Sequence, residues 1–316
     1  METVVHSIIV PVYRNEASLP ALLEVLESLG RKLESLEVVF VIDGSPDNSW
    51  AFLKNRLISA SFASQLLAHS RNFGSFAAIR TGLEHARGGY CSVMSADMQE
   101  PPEFIEQIFQ TLRSQPVDVV IGVRENRVDP FFQALASSLF WVLYRCWIQP
   151  EMPKGGIDVF GCNRHFCETL TGLRESNTTL VGLVVWMGFR RVTLTYNRLA
   201  RQHGKSAWTL DRKIRYMLDS LFAFSDLPII IMILTGLLGV CLSVSLAAVI
   251  LIAKHRHLIQ VPGYAATILT VMFFGALNSF GLGIIGSYMW RTFENTKGRP
   301  SSIVMSKFLF PPDPHG

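Results

Sequence analysis

Residues 93–103 carry the side chains in this chain that best suit the binding of a divalent metal ion. An apolar run at 90–94 predicts a buried strand, and Asp97 and Gln99 follow it two positions apart. Side chains two apart on an extended segment point the same way, so these two groups are predicted to reach one point. Carboxylate and amide oxygens suit a hard cation such as Mg2+ or Mn2+. The alternative is a plain strand-to-helix turn in which Glu103 caps the helix.

Such a site needs a rigid frame, and the first 125 residues predict one. Strand-like and helix-like patterns alternate along them, which indicates an α/β fold with a mostly parallel sheet covered on both faces. The predicted strands are 5–12, 38–42, 65–68, 90–94 and 118–123, and the predicted helices are 19–33, 49–57, 76–86 and 102–114.

Polar residues come directly after four of these strands. They are Asp43, Asn72, Asp97 and Arg124. In parallel sheets, ligands bind beyond the carboxyl ends of the strands. We therefore expect these four side chains to converge on one edge of the sheet and to form a ligand site there.

The composition predicts that part of the chain lies in a membrane. Hydrophobic residues make up 49% of the 316 residues and charged residues only 17%, and the apolar excess lies after residue 226. The net charge of +4 comes without the basic run typical of nucleic-acid binding. The five cysteines match no zinc spacing, which favours a reducing compartment. The N-terminus lacks the basic start of a signal peptide, so the first part of the chain is predicted to be cytoplasmic.

Two long charge-free runs, 227–253 and 264–290, predict a transmembrane hairpin. Each exceeds the roughly 20 residues that a helix needs to cross a bilayer. Two crossings put both ends of the hairpin on one side, and the balance of basic residues predicts the cytoplasmic side. Residues 291–316 are then a cytoplasmic tail. Two buried helices of a soluble protein are the alternative.

Two further segments are predicted to lie against the membrane. Residues 131–147 are aromatic-rich with Arg145 as their only charge, and they predict a helix on the membrane or a plain core helix. Residues 208–225 combine three basic residues with apolar positions, which is typical of an amphipathic helix leading into the bilayer. A catalytic domain of residues 1–207 precedes that helix.

Short motifs at the predicted strand ends, and after them, form an ordered set. They are Val-Pro-Val-Tyr-Arg-Asn-Glu at 10–16, Ile-Asp-Gly-Ser at 42–45, Arg-Asn-Phe-Gly at 71–74, Ala-Asp-Met-Gln-Glu-Pro-Pro-Glu at 96–103, Gly-Ile-Asp at 156–158, Arg-Gln-His-Gly-Lys-Ser at 201–206, Gly-Ser-Tyr at 286–288 and Lys-Gly-Arg-Pro at 297–300. In this order, and with the hairpin, the chain resembles the polyprenyl-phosphate glycosyltransferases of glycosyltransferase family 2. That group includes dolichol-phosphate mannose synthase and the bacterial undecaprenyl-phosphate glucosyltransferases of O-antigen modification.

The resemblance implies a GT-A fold and inverting transfer of a sugar from a nucleotide sugar, such as a UDP-sugar, to polyprenyl (undecaprenyl) phosphate. It implies that Mg2+ or Mn2+, held by Asp97 and Gln99, neutralises the leaving nucleoside diphosphate, which makes Asp97 catalytic as well. Tyr13 is expected to stack on the base, with packing at a strand end as the alternative. The residues assigned to the nucleotide sugar are Pro11, Tyr13, Glu16, Asp43, Asn72 and Ala96.

The acceptor phosphate is itself an anionic nucleophile, so its positioning matters more than a strong general base. Arginine suits that task because its planar guanidinium offers several donors to phosphate oxygens. The resemblance assigns Asp158 as the catalytic aspartate, which orients the phosphate or shapes the sugar pocket; a helix N-cap is the alternative. The residues assigned to the acceptor phosphate are Arg124, Arg198, Arg201 and Lys205, with solvated surface charges as the alternative.

The chain departs from the family pattern at its metal site. Ser95 stands where the family usually has the first acid of Asp-x-Asp, so metal affinity is predicted to fall unless Glu100 or water compensates. Ser75 and Ala207 also replace residues that are usually Lys. These departures keep a second hypothesis open, a non-catalytic membrane scaffold that retains the fold. A processive polysaccharide synthase is disfavoured, because its Gln-x-x-Arg-Trp-type motif is absent and two spans make a poor channel.

The predicted partners are a nucleotide sugar, a polyprenyl-phosphate lipid and the membrane, and no nucleic acid. The glycine-rich spans favour a homo-oligomer. A lipid-linked sugar for lipopolysaccharide modification would also need a flippase and a downstream membrane glycosyltransferase. The predicted location is the bacterial inner membrane, with the catalytic domain and both termini in the cytoplasm.

Overall fold

The computed structural model describes residues 5–125, 142, 144–146, 148–175, 178–199, 210–256 and 263–311. The strands are β1 His6–Val12, β2 Leu36–Ile42, β3 Ala63–His69, β4 Tyr90–Val93, β5 Val119–Arg124, β6 Val159–Asn163, β7 Arg191–Tyr196 and β8 Val304–Phe310. The helices are α1 Leu19–Lys32, α2 Ser49–Arg56, α3 Ser75–His85, α4 Pro102–Ser114, α5 Arg164–Gly172, α6 Leu180–Trp186, α7 Leu210–Phe224, α8 Leu227–His255 and α9 Tyr264–Thr296.

All eight strands belong to one sheet, in the order β7-β5-β6-β4-β1-β2-β3-β8. β1 pairs in parallel with β2 and β4, β2 with β3, and β5 with β7. β6 runs antiparallel to β4 and β5, and β8 runs antiparallel to β3. β1 and β2 are buried along nearly their whole length, as expected for strands covered on both faces. The predicted α/β fold with a mostly parallel sheet is confirmed.

The sequence sets the start of α4 next to the predicted site. Pro102 occupies the first turn, where its missing N–H leaves no helical hydrogen bond unmade. Glu103 lies in the same turn and interacts favourably with the positive end of the helix dipole, although no side-chain cap bond forms. The helix has the predicted bounds, and its core-facing residues recur at helical spacing: Phe104, Ile105, Ile108, Phe109 and Leu112.

The two apolar helices α8 and α9 are 29 and 33 residues long. Within the described residues, Thr270–Thr296 is long and apolar enough to cross a membrane, and the pair Met217–Phe224 and Leu227–Gly239, bent by 77°, adds a second crossing if it forms one span. α8 and α9 contact each other at Gly239, where a Cβ would lie 3.2 Å from Phe274 Cε1. The two-helix hairpin stays a prediction.

The segment after α9 returns to the catalytic sheet, which the sequence analysis does not predict. Residues 291–296 continue α9, and residues 304–310 form β8 where a tail was expected. β8 pairs with β3 from Ser64 opposite Phe310 to His69 opposite Val304. The predicted helix at 131–147 falls almost entirely outside the described residues.

Candidate active site

The loops after β1 and β2 hold each other at the carboxyl edge of the sheet. The N–H of Arg14 donates to Ser45 Oγ at 2.7 Å, and the N–H of Glu16 donates to Asp47 Oδ2 at 3.1 Å. Glu16 Oε2 in turn accepts the N–H of Asn48 at 3.0 Å. Burial raises the pKa of Asp47, but hydrogen bonds, led by that from Ser45, outweigh it and bring the pKa below its usual value. Glu16 therefore joins the two loops by both its backbone and its carboxylate.

Pro11 and Tyr13, which were assigned to the nucleotide, lie half-buried at this edge. The Arg14 guanidinium carbon lies 5.4 Å from the centroid of the Tyr13 ring, and the Tyr13 N–H donates to Asn15 Oδ1 at 3.1 Å. Arg14 has a φ of +56°, a left-handed conformation that a non-glycine residue adopts at a cost. Stacking of Tyr13 on a base stays a prediction.

Asp43 organises the loop that follows β3. Its side chain is almost fully buried, and its two oxygens accept the N–H groups of Phe73 and Gly74, each at 2.8 Å. His69 Nδ1 lies 2.8 Å from Asp43 Oδ1. A Cβ on Gly44 would lie 2.3 Å from the carbonyl carbon of Arg71, so only glycine lets the two loops meet. The Asp43 carboxylate thus shapes the loop that carries Asn72, and its direct contact with a nucleotide stays a prediction.

The segment after β4 differs from the extended strand that was expected. β4 ends at Val93, the N–H of Met98 donates to Ser95 O at 3.1 Å, and Met98 has a φ of +52°. Asp97 and Gln99 therefore lie in a turn, and the argument that they point the same way along a strand is wrong. The cause is that the backbone after β4 makes hydrogen bonds within a turn, from Met98 to Ser95, instead of with a neighbouring strand. Ala96 is buried here, and its carbonyl accepts Ser18 Oγ–H at 2.9 Å.

The Gln99 side chain is buried and faces an arginine. Its amide oxygen accepts a hydrogen bond from Arg198 Nη2, and its backbone carbonyl accepts the N–H of Leu199 at 3.0 Å. An amide oxygen held by a guanidinium is poorly placed to bind a cation. This geometry leaves Asp97 as the stronger metal-binding candidate of the two.

Glu100 supplies a second carboxylate beside the position where the family has an acid. Its Oε2 accepts both the N–H of Ser95, at 2.9 Å, and the Ser95 hydroxyl. Burial raises the pKa of Glu100, the Ser95 hydrogen bonds oppose that shift, and the nearby charge of Asp97 adds to it. The compensating role suggested for Glu100 by the sequence therefore has a geometric basis.

The described side chains at this edge could hold a divalent ion only together with ligands from outside the protein. The described residues include no cluster of three His, Cys, Asp or Glu side chains that could hold an ion. Mg2+ is often bound by one or two carboxylates together with substrate phosphates and water. Asp97, with the charge of the Glu100 carboxyl group nearby, fits that type of site, in which substrate phosphates would supply further ligands.

Arg124 and Asp158, which were assigned to two different roles, form one ion pair. Arg124 Nε donates to Asp158 Oδ2 at 2.5 Å, and Arg124 Nη2 donates to Oδ1 at 2.6 Å. The pair joins the last residue of β5 to the residue before β6, where the Asp158 N–H also donates to Gly122 O at 3.2 Å. Such a bidentate pair fixes the plane of the guanidinium at the sheet edge.

Arg198 and Tyr196 complete this side of the site. Burial and the charge of Arg124 lower the pKa of Arg198, while Asp158 and Glu100 oppose that shift. Tyr196 is the last residue of β7, and its buried ring stacks on Phe104 with centroids 4.5 Å apart. Burial raises the pKa of its hydroxyl.

Two of the predicted site residues, Arg201 and Lys205, lie outside the described part of the chain. Conversely, Tyr196 and Phe104 were missed by the sequence analysis, although the alternation in Arg-Val-Thr-Leu-Thr-Tyr at 191–196 is a strand signal. The other assigned residues lie at the carboxyl edge of one sheet, Pro11 and Arg124 near the ends of their strands and the rest on the loops.

The edge thus has three parts. Loops after β1, β2 and β3 are tied together on one side, two carboxylates lie after β4, and two arginines lie beside β5 and β7. The molecule is thus an α/β domain in which groups suited to a phosphate-bearing ligand lie at the carboxyl edge of the sheet.

Comparison with known proteins identifies the family. The profile described as Glycosyl transferase family 2 matches residues 7–175. The glycosyltransferase CsbB of Bacillus subtilis (strain 168) is 30% identical over 302 residues, which cover 94% of this chain and 90% of the relative. The chain belongs to glycosyltransferase family 2, and it is a glycosyltransferase.

Two further similarities concern an acceptor and a metal. A protein of Yersinia pestis (strain Pestoides F) named undecaprenyl-phosphate 4-deoxy-4-formamido-L-arabinose transferase is 29% identical over 304 residues, covering 94% of this chain and 92% of the relative. The structure of Mycobacterium tuberculosis glucosyl-3-phosphoglycerate synthase with Mn2+, UDP-glucose and phosphoglyceric acid aligns with a TM-score of 0.48 and 14% identity, covering 69% of this chain and 78% of that one. A structural likeness of this extent transfers neither a substrate nor a metal.

Proposed function

We propose that the protein transfers a sugar, with inversion, from a UDP-sugar to the phosphate of a polyprenyl lipid, undecaprenyl phosphate, at the cytoplasmic face of the bacterial inner membrane. The observation that carries the proposal is the group of Arg124, Asp158 and Arg198 at the catalytic edge of a chain that also has two long apolar helices. The product would supply a lipid-linked sugar for modification of a surface polysaccharide such as the O-antigen.

The two arginines suit a lipid phosphate because both guanidinium groups are already oriented. Asp158 holds Arg124 through two parallel hydrogen bonds, and Gln99 holds Arg198 through its amide oxygen. A phosphate that binds between them would have its charge neutralised and one oxygen directed at the anomeric carbon of the donor. Because the phosphate is already an anion, no side chain needs to remove a proton from it.

The donor would bind across the loops after β1, β2 and β3, with its diphosphate next to Asp97. A divalent ion held by Asp97 and the diphosphate would neutralise the charge that develops on the leaving group. Asp97 and Glu100 would then hold that charge-neutralising site in place, and Tyr13 and Asn72 would contact the nucleoside.

The pairing of β8 supports two membrane crossings. β8 belongs to the catalytic sheet, so the chain between α7 and β8 must cross the membrane an even number of times. The C-terminal end of α9 is also held to α7, since Arg291 Nη2 donates to Asp219 Oδ1 at 2.8 Å. A single crossing by α9 would separate β8 from β3, which favours the hairpin of α8 and α9.

Transfer can be tested with the purified full chain in detergent. UDP-sugars and GDP-mannose are supplied with undecaprenyl phosphate and Mn2+ or Mg2+, and the lipid product is measured by mass. We expect product with at least one UDP-sugar, and loss of product in Asp97→Ala and Arg124→Ala.

The chain offers a matched control for Arg124. Arg190 makes a bidentate pair with Asp118, at 2.9 Å for both bonds, near the opposite end of β5. Arg190→Ala should keep its transfer activity. Absence of product from every donor, with Asp97→Ala equal to the wild type in nucleotide and metal binding, would favour the non-catalytic scaffold instead.

A further inference from the structure

The segment that leaves α9 is joined to the donor side of the site by a chain of buried polar groups. Ser302 Oγ lies 2.7 Å from Thr81 Oγ1, and Thr81 Oγ1 lies 2.9 Å from His69 Nε2. His69 Nδ1 lies 2.8 Å from Asp43 Oδ1. The chain therefore runs from Ser302, two residues before β8, through α3 and β3, to the carboxylate that follows β2.

The direction of these hydrogen bonds follows from their chemistry. A carboxylate only accepts, so His69 Nδ1 carries the hydrogen that it donates to Asp43. His69, Thr81 and Asp43 are all at most 2% exposed. The order carboxylate, imidazole, hydroxyl is that of a hydrolytic triad, but no substrate can reach a hydroxyl this deeply buried, so the chain orients groups rather than reacting.

The far end of the chain is the loop after β3. Asp43 accepts the N–H groups of Phe73 and Gly74, and this loop carries Asn72. The near end is fixed by backbone pairing, because the Ser70 N–H donates to Ile303 O at 3.0 Å and β8 continues along β3. A displacement of residues 302–304 would therefore disturb the backbone of His69 and Ser70 and, through Thr81, the side chain of His69.

We propose that Ser302, Thr81 and His69 are positioning residues for the nucleoside diphosphate of the donor. They hold Asp43, and through it the loop of residues 71–74, in the conformation that binds the donor. The loop of residues 71–74 therefore keeps this conformation only while residues 304–310 are paired with β3 as strand β8. This inference rests on the proposed function, because it assigns the loop to the donor.

The test compares neighbouring serines in the full chain in detergent. Ser302 is half-buried and bonded to Thr81, whereas Ser301 is exposed, so Ser301→Ala is a matched control for Ser302→Ala. Ser302→Thr retains the hydroxyl and should restore the wild-type behaviour. The first readout is calorimetric titration with UDP and Mn2+, and the second is amide hydrogen exchange of the peptide containing Phe73 and Gly74.

We expect Ser302→Ala to bind UDP about tenfold more weakly and to exchange the loop amides about tenfold faster, the effect of losing one partly buried hydrogen bond. The KM for the lipid acceptor should not change, because the arginines lie on the other side of the sheet edge. Thr81→Val removes the bonds to both Ser302 and His69 and should give at least this loss. The double variant should add little to the loss in Thr81→Val, because the bond of Ser302 is already absent there.

Several outcomes would overturn the inference. Unchanged amide exchange at Phe73 and Gly74 in Ser302→Ala would do so, whether or not the protein transfers sugar. Faster exchange with unchanged UDP affinity would also contradict it. So would losses of UDP affinity that add up in the double variant. If the wild type binds UDP but makes no lipid-linked sugar, only the acceptor part of the proposed function fails. If the wild type binds no UDP at all, the donor assignment and this inference fail together.

Discussion

Replacing Ser95 by Asp restores the usual acid of the family, and the structure predicts that it will destabilise the metal-free protein. Ser95 donates its hydroxyl to the buried carboxylate of Glu100. The substitution removes this donor to a charged acceptor, which costs about 1.5 to 3 kcal/mol. It also places a second carboxylate within about 4 Å of the first, a repulsion of up to about 4 kcal/mol at an effective dielectric constant of 20.

Protonation of the Glu100 carboxyl group limits the repulsion between the two carboxylates in Ser95→Asp. Burial already raises the pKa of Glu100, and the new carboxylate would raise it further. A group whose pKa is raised in the folded state stabilises that state at low pH, and the stabilisation is lost as the pH rises through the folded pKa. We therefore expect Ser95→Asp to lose about 2 to 4 kcal/mol at pH 7.5 and less at pH 5.5.

The assay is thermal unfolding of the full chain in detergent at both pH values, with EDTA and then with Mn2+. Ser95→Ala is the control, because it loses the hydrogen bond without adding a charge. In EDTA at pH 7.5, Ser95→Asp should melt below Ser95→Ala, and the gap should narrow at pH 5.5. Mn2+ should raise the melting temperature of Ser95→Asp more than that of the wild type. Equal melting of the two variants at both pH values, with equal shifts in Mn2+, would refute the reasoning.

Three other predictions follow from ion pairs at the site and in the sheet. Arg124→Lys should lower kcat/KM for the lipid acceptor by about tenfold to a hundredfold, because lysine cannot make the two parallel bonds to Asp158; acceptor kinetics check this, and Arg190→Lys should not lower it. A hydrogen bond from Arg190 lowers the pKa of Asp118 to about 2, so this group's stabilisation should be lost as the pH falls from about 4 towards 2, and Asp118→Asn should flatten that part of a melting profile. The buried Glu37 carboxylate accepts four hydrogen bonds, so Glu37→Gln should cost about 3 kcal/mol in denaturant unfolding while donor binding is retained.

The first five strands could be predicted because each is a short run of mostly buried residues, rich in β-branched side chains in β1, β2 and β5, followed by a polar residue or a turn. α4 could be predicted to the residue because Pro102 marks its start and its apolar residues recur at helical spacing. β8 could not be predicted. It is mostly exposed, and it pairs with residues 63–69, more than two hundred positions earlier, a contact that no local propensity specifies.

The residues at the site edge were easier to predict than their partners. Polar residues at the ends of parallel strands must converge, and Asp43, Asn72, Asp97 and Arg124 do lie at one edge of the sheet, Arg124 as the last residue of β5 and the others on loops. Which side chain bonds to which depends on turn geometry and on distant strands. The turn at Met98 directs Gln99 towards Arg198, and the start of β6 brings Asp158 to Arg124. The four assigned residues therefore form two bonded pairs instead of acting as separate groups.

The return of the chain to the sheet connects the apolar helices α8 and α9 to the catalytic domain at both of their ends. α8 begins at Leu227, directly after α7, and the Phe224 ring of α7 packs so closely on Gly182 that a Cβ there would lie 2.3 Å from it. At the other end, residues 297–303 separate α9 from β8 and can span at most about 25 Å. Both connections are short, so α9 cannot shift far from the sheet without pulling residues 302–304 from β3. Because Ser302 is also the first member of the polar chain to Asp43, any such shift would act on the loop of residues 71–74, which we propose binds the donor.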